Sequence, residues 1–583
     1  MRKRVIAFAL IILSLTYVAG IYAYPYQTTD PKITSALNWL KNQQQAGGMI
    51  GSFAYSSWAV MAIASAEQDP NTWEKGGVSV VQYLKNNVNQ LSSCTDYSRF
   101  ILSMVAARID PETITKDGQG LVTKLKSFYD GSQFGDGGLV NDDFWAVMAL
   151  ISAGVYKDDP MIQKSLTFIK SKQNSDGGWS WAVGQTSDVD DTAAAIMALI
   201  AGGEPKTSTP ITNGLSYMKS QQLNSGGFGF MGSSSAETDS WAIQAIVAAG
   251  QDPTSNDWTK NGKTPVDDLL TFQDSGGGFK DYTGNPNVYT TSCAIPALLG
   301  KPYPIVIGAK VDIRIEGQSS TVWKGVVFVS WSDITDDQGQ HHYYSKPTVL
   351  GALDEASRIA GFTYVVTYQY GPAYVTTIKG EAAQGLNGWL FRVNEHTTGM
   401  YAADQFVLND PTVTTPPPPH STILWFYGGW NDNVTRISVD RTTVKPEEAF
   451  TVTVTYLDET TETWLPVQGA NVHADKNYVT DQNGQVSISI STPGTYGVYA
   501  EKEGFVRTDR IQVTVTGGDS ANLQVNIIPA LSIVVTPDFI DFGTMGPGDI
   551  SQTFQIHLVN NGSLTGIITV NVTDIGNSRV FRD

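Results

Sequence analysis

One unit recurs along the first half of the chain and restricts its fold more than any other feature. A helical stretch is followed by a Gly-Gly turn, an apolar residue, an acidic or hydroxyl cap, and a helix of small residues. It is clearest where Gly177-Gly178-Trp179-Ser180-Trp181 leads through Asp188-Val189-Asp190-Asp191-Thr192 into the Ala-rich run ending at Ala201. Glycine ends a helix because it enters positive φ without a Cβ clash. Asp, Ser and Thr start one because their side chains accept hydrogen bonds from first-turn N–H groups that have no helical partner. Six copies spaced roughly 40–55 residues apart predict an (α/α)6 toroid over residues 30–305, with the six capped ends at one mouth.

The outer helices read as Ile33–Gln44, Val78–Asn86, Leu121–Phe128, Ile162–Gln173, Ile211–Gln222 and Val266–Gln273. Gly-Gly pairs follow five of them, and the next residue is Met49, Leu139, Trp179, Phe228 or Phe279. Such a side chain is expected to wedge between neighbouring repeats. The inner helices align without gaps, placing Trp58, Arg99, Trp145, Ala194, Trp241 and Cys293 in one column. Their caps lie two and three residues earlier: Tyr55-Ser56, Asp96-Tyr97, Asp142-Asp143, Asp191-Thr192, Thr238-Asp239 and Thr290-Thr291.

At 583 residues, the chain requires several domains. A net charge of -18 with no basic stripe argues against nucleic acid as a partner. Arg2, Lys3 and Arg4 precede the apolar run Val5–Leu15, so residues 1–23 read as an export signal, with a single N-terminal anchor as the alternative. No later stretch reads as a transmembrane helix. The protein is therefore expected to be secreted or held at the cell surface, with Asn433, Asn561 and Asn571 in glycosylation tripeptides. Cys94 and Cys293 are too few for a disulfide scaffold or a zinc cluster. They read as a single pair or as two buried thiols.

Residues 308–430 change to a β-rich α+β pattern. Strands are expected at Val311–Ile315, Val326–Trp331, Phe362–Tyr370, Tyr374–Lys379, Trp389–Asn394 and Ile423–Tyr427, with a helix at Pro347–Ala360. Pro416–Pro419 reads as a stiff loop before the last of these strands. Residues 433–517 alternate as a β sandwich, and 521–583 begin a second that is short for that architecture.

Two resemblances attach to these residues. The pattern Phe168–Trp179 resembles the repeat of squalene–hopene cyclases and prenyltransferase β subunits, and Asp188-Val189-Asp190-Asp191 is similar to the acid motif of class II terpene cyclases. That resemblance implies alkene protonation by Asp190, supported by Asp188 and Asp191. The β-rich segment, through Gly388–Asn394, Ala402–Gln405 and Leu424–Gly428, resembles the small domain that follows the toroid in transcobalamin and intrinsic factor. That domain order implies a corrinoid or similar large amphipathic ligand clamped between toroid and lid. The sandwich resembles immunoglobulin-like or carboxypeptidase-regulatory-like modules.

The corrinoid carrier is the first expectation. Its rim would be Asp143, Asp190, Asp191, Thr192, Asp239 and Tyr289, its lid Trp389, Phe391 and Tyr401, and it would use no metal and no covalent cofactor. The class II cyclase is the alternative, and a surface protein binding glycans or other proteins is the third reading. A glycan-active enzyme using Asp143, Asp190 and Asp239 also fits the carboxylates.

Overall fold

A computed structural model describes residues 24–517, apart from 231, 400, 409, 411, 414 and 415, together with strand segments 522–523, 533–536, 557–560 and 572–573. The expected export signal at 1–23 and most of the 521–583 segment lie outside the described residues.

Twelve helices make the ring. The outer ones are α1 (Pro31–Gln43), α3 (Val80–Asn86), α5 (Leu121–Lys126), α7 (Pro160–Ser171), α9 (Thr209–Gln221) and α11 (Pro265–Thr271). The inner ones are α2 (Phe53–Ser65), α4 (Cys94–Ala106), α6 (Asn141–Ser152), α8 (Val189–Ala201), α10 (Ala236–Ala248) and α12 (Val288–Leu298). Each inner helix packs on the next, and α12 returns to α2, so the ring is closed. The inner helices are buried almost all round, and their small residues permit this close packing. Both cysteines are buried free thiols.

The glutamine before four of the five Gly-Gly turns ties one repeat to the next, whereas Gln133 in the third unit bonds within its own turn, to Asp130 and Gly135 O. The side-chain N–H group of Gln173 donates to Gly177 O in its own turn (2.8 Å) and to Pro210 O of the following outer helix (2.9 Å). Gln44 and Gln222 bridge to Trp73 O and Trp258 O in the same way. Gln273 closes the circle by donating to Gly277 O (3.0 Å) and to Lys32 O of the first repeat (2.8 Å). Glycine is required at the turn for two reasons. Gly177 and Gly277 have φ of 90° and 95°, and a Cβ on either would strike the backbone of Asn213 or Ser35 in the adjoining repeat.

The wedge positions need one correction. The residue whose N–H enters the turn is Ile50 in the first unit and Phe134 in the third, in place of Met49 and Leu139. Ile50, Phe134, Trp179, Phe228 and Phe279 are all fully buried, and each N–H donates to a side chain on the next inner helix: Ser56, Asp143, Thr192, Asp239 and Thr291. In the third unit the turn folds back before Gly137-Gly138, which moves the wedge upstream.

After the ring comes a four-stranded sheet built from β1 (Ala309–Glu316), β2 (Thr321–Val329), β4 (Asn387–Val393) and β5 (Thr422–Gly429), in the order β4-β5-β1-β2, with β5 parallel to β1. Helix α13 (Val349–Ala360) covers one face. The middle strand of a second, three-stranded sheet, β3 (Tyr374–Ile378), pairs with residues 364–367 and 381–382 and packs beside β4. Asn394 Nδ2 donates to Pro417 O and Pro419 O, so the proline run is held as a loop leading into β5. Two further sheets over residues 435–515 enclose a common apolar core as a sandwich. Among the described residues no helix is long and apolar enough to cross a membrane.

The β-rich domain docks at the C-terminal ends of the inner helices. Trp331 Nε1 donates to Ala106 O (2.8 Å), Arg108 pairs with Asp354 (3.1 Å), and Ser152 Oγ donates to Val306 O (2.7 Å). This is the end of the ring opposite the caps.

If the glutamines carry the ring, Gln222→Ala will leave two buried carbonyls unpaired and lower unfolding free energy by about 2–4 kcal/mol. The exposed neighbour Gln221→Ala will stay within about 0.5 kcal/mol. Chemical denaturation of the two variants measures the difference.

Candidate functional site

Helical spacing divides the cap residues into two sets. Side chains at i and i+4 share a helix face, whereas one at i+2 points away from it. On each inner helix, the residue two before the Trp58/Ala194 column turns outward to the Gly-Gly loop. Thr192 there is fully buried, accepts from Trp179 N (2.9 Å) and donates to Trp179 O (3.3 Å). Asp143 accepts from Phe134 N (3.1 Å) and from the Ser165 hydroxyl of α7. Asp239 accepts from Phe228 N (2.6 Å) beside a second carboxyl, Asp268. These three expected rim residues stand between inner and outer helices, away from the mouth.

The residue four before the column shares its face and looks into the bore. Asp190 lies one turn before Ala194, Glu237 before Trp241, and Tyr289 before Cys293. The bore opens as a cavity of about 670 Å³ lined by Tyr55, Trp145, Asp190, Asp191, Trp241 and Tyr289, with Glu237 and Asn287 alongside. Its floor is aromatic. Trp58, Trp145 and Trp241, from alternate repeats, meet edge to face at 5.4, 5.7 and 5.6 Å between ring centroids. Tyr303, entering from the far end, seals the bore beneath Trp58 and Trp241 (5.6 and 5.5 Å). The sequence singled out Asp190, Asp191 and Tyr289 but passed over Trp145, Trp241 and Glu237. Their four-residue spacing to the aligned column was the available signal.

Burial first, then the neighbouring charge of Asp188 and of Glu237, pushes the Asp190 carboxyl up to about 7, with the Thr238 hydroxyl opposing. Asp190 Oδ1 is sealed from solvent and accepts no hydrogen bond. Asp188 caps α8 by accepting from Asp191 N (2.8 Å). Burial and the Asp188 charge also raise Asp191. The arrangement sets a carboxyl whose charged form is disfavoured by burial and by neighbouring carboxylates against aromatic rings.

The lid residues do not join this cavity. Trp389 is in the β-domain core, donating Nε1 to Glu381 O (2.7 Å), and Phe391 packs on Trp425. Both line a separate pocket with Tyr401.

With the geometry in place, comparison with known proteins bears on the ring. The family model of the squalene-hopene cyclase C-terminal domain matches residues 91–230. That stretch includes the whole Asp188–Asp191 motif. The ring resembles a cyclase domain. No curated protein sequence matches the chain. Among solved structures, similarity extends to the type II terpene cyclase MstE from Scytonema (9% identity, 46% of this chain and 96% of that one, TM-score 0.35). It extends also to Candida albicans protein geranylgeranyltransferase-I complexed with GGPP (14%, 45% and 90%, 0.33) and to ent-copalyl diphosphate synthase from Streptomyces platensis (14%, 42% and 50%, 0.31).

The corrinoid expectation is thereby overturned. The family match over the ring is to a cyclase domain, and the supposed lid sits on the opposite end from the polar mouth, so the two parts cannot clamp one ligand.

The outward carboxyls have a consequence for stability. Burial raises Asp143 from 3.8 to about 7, against the bonds from Ser165 and Phe134 N–H. Between those values the folded chain holds a proton that the unfolded chain has released. This contribution to stability is therefore full below about pH 4 and is lost as pH rises to about 7. Asp143→Asn will shrink the difference in unfolding free energy between pH 4 and pH 7 by on the order of a few kcal/mol. Urea titrations of both proteins at the two pH values check the sign.

Proposed function

We propose that the ring is a protonation-initiated isoprenoid cyclase with Asp190 as the acid. The observation that supports this best is the Asp190 carboxyl itself: raised to about 7, without a hydrogen bond at Oδ1, and facing a cavity walled by Trp145, Trp241, Tyr55 and Tyr289. Protonating an alkene requires a carboxyl that is neutral before the step and has few competing partners. The carbocation formed then needs stabilisation without a nucleophile, which aromatic faces supply through their quadrupole. The match of a squalene-hopene cyclase domain over residues 91–230, which include Trp145 and Asp190, supports the reading.

In this mechanism the alkene terminus rests against Asp190 with the chain folded over the tryptophan floor. Asp190 transfers its proton to one alkene carbon, leaving the cation on the other. Internal double bonds attack that cation in turn, and loss of a proton ends the sequence. The charges of Asp188 and Glu237 beside Asp190 favour its protonated form until an alkene is present. With an export signal at 1–23, this chemistry would take place outside the cytoplasm.

The test uses purified full-length protein with squalene and with all-trans geranylgeraniol, and products separated by gas chromatography with mass detection. Cyclic products are expected, at a rate that falls as pH rises through about 7, because only the protonated acid acts. Asp190→Asn should lower turnover by about 10²–10⁴ while tryptophan quenching by the hydrocarbon persists. No cyclic product from the unaltered protein with either compound would end the proposal.

A further inference from the structure

The pocket that the supposed lid residues do line has its own architecture. Strand β4 is the edge of the four-stranded sheet. Successive residues of a paired edge strand point their backbone groups alternately to the partner and to the open side. Asn387 N and Val393 N bond away from β5, to Gln384 O and His396 O. The alternation therefore turns the N–H and C=O groups of Trp389 and Phe391 to the same open side. Between the two hairpin bonds at its ends, the middle of β4 presents a strand edge with no backbone partner among the described residues, where the Phe391 carbonyl accepts from Arg392 Nη1 (3.1 Å).

A cavity of about 310 Å³ lies against this edge, bounded by Tyr370, Tyr374, Phe391, Tyr401, Trp425 and Trp430. Its walls are unusual for solvent-facing surface: Tyr370 is 75% exposed, Trp430 66%, Tyr401 47% and Tyr374 39%. Large apolar side chains gathered in one exposed patch mark contact sites. Trp425 supplies a second, independent sign. It is only 1% exposed, yet its Nε1–H donates to nothing among the described residues. A buried indole N–H normally finds an acceptor.

We propose that this edge binds an extended peptide as an added strand, with one bulky apolar side chain of the peptide in the aromatic pocket. Main-chain pairing to Trp389 and Phe391 supplies affinity, as in other strand-addition sites, and the pocket selects the side chain. A peptide carbonyl beside that side chain is the acceptor Trp425 Nε1 lacks. A free hydrocarbon would fill the apolar walls but leave both the strand edge and the indole unpaired, which favours the peptide. The site is independent of the ring's chemistry, because no residue is shared with the cavity at Asp190.

Panning a phage-displayed library of random peptides matched to the seven residues of β4 against the full chain tests this. The expected result is enrichment of alternating sequences with a central aromatic or large aliphatic residue. Synthetic copies should bind at least about tenfold more weakly to Tyr401→Ser and Trp430→Ser proteins whose thermal midpoints are unchanged. Backbone N-methylation of the peptide should weaken binding equally, because it removes strand pairing. Failure to enrich any sequence that discriminates these variants overturns the proposal. So does enrichment of peptides indifferent to N-methylation, which would make the pocket a site for isolated apolar groups only.

Discussion

The structure depends on a glutamine amide. In a closed ring of helical hairpins, each repeat must be fixed to its neighbour at the outer wall as well as along the inner helices. Gln44, Gln173, Gln222 and Gln273 do this by donating at once to their own turn and to the next repeat. An amide N–H pair suits this role because it has two donors on one rigid plane. The glycine turn must approach the neighbouring backbone closely for the geometry to work, and no side chain larger than hydrogen fits there. Ring closure between Gln273 and Lys32 is the same contact used once more, across the full sequence length of the ring.

Closure creates the bore, and the bore separates chemistry from capping. Acidic and hydroxyl residues crowd every inner-helix start because those ends need acceptors. The caps themselves are Ser52, Ser93, Asp188, Ser235 and Asn287, whereas Asp143, Thr192 and Asp239 each accept the N–H of a buried wedge residue. Asp190 is set apart from Thr192 by two positions in sequence, about half a turn of helix, and so it faces the aromatic floor. The far end of the bore is shut by Tyr303 and by the β-rich domain docked there. Among the described residues the cavity thus opens at the caps and ends on the aromatic floor.

Much of this was legible in the sequence. The repeat spacing, the Gly-Gly turns and the small-residue inner helices specify a ring, because few other arrangements bury such helices on all sides. The alternation of β1, β2, β4 and β5 marked the β-rich domain, and the proline run was correctly placed before β5. The wedge residues of the first and third repeats were misplaced because a turn's exit is set by local backbone geometry at Gly48 and Gly135. The order of glycines alone does not specify it.

What the sequence determined by itself was the inventory: six capped hairpins, an acid motif at Asp188–Asp191, and an aromatic-rich strand at Trp389–Phe391. Tertiary structure decided which of these meet. The last inner helix runs away from the capped mouth, so the short connection after Leu298 delivers the β-rich domain to the far end, where Tyr303, Trp331 and Arg108 fix it. Those contacts lie many residues from the caps in sequence, and they put the strand-edge pocket and the acid cavity on separate parts of the molecule.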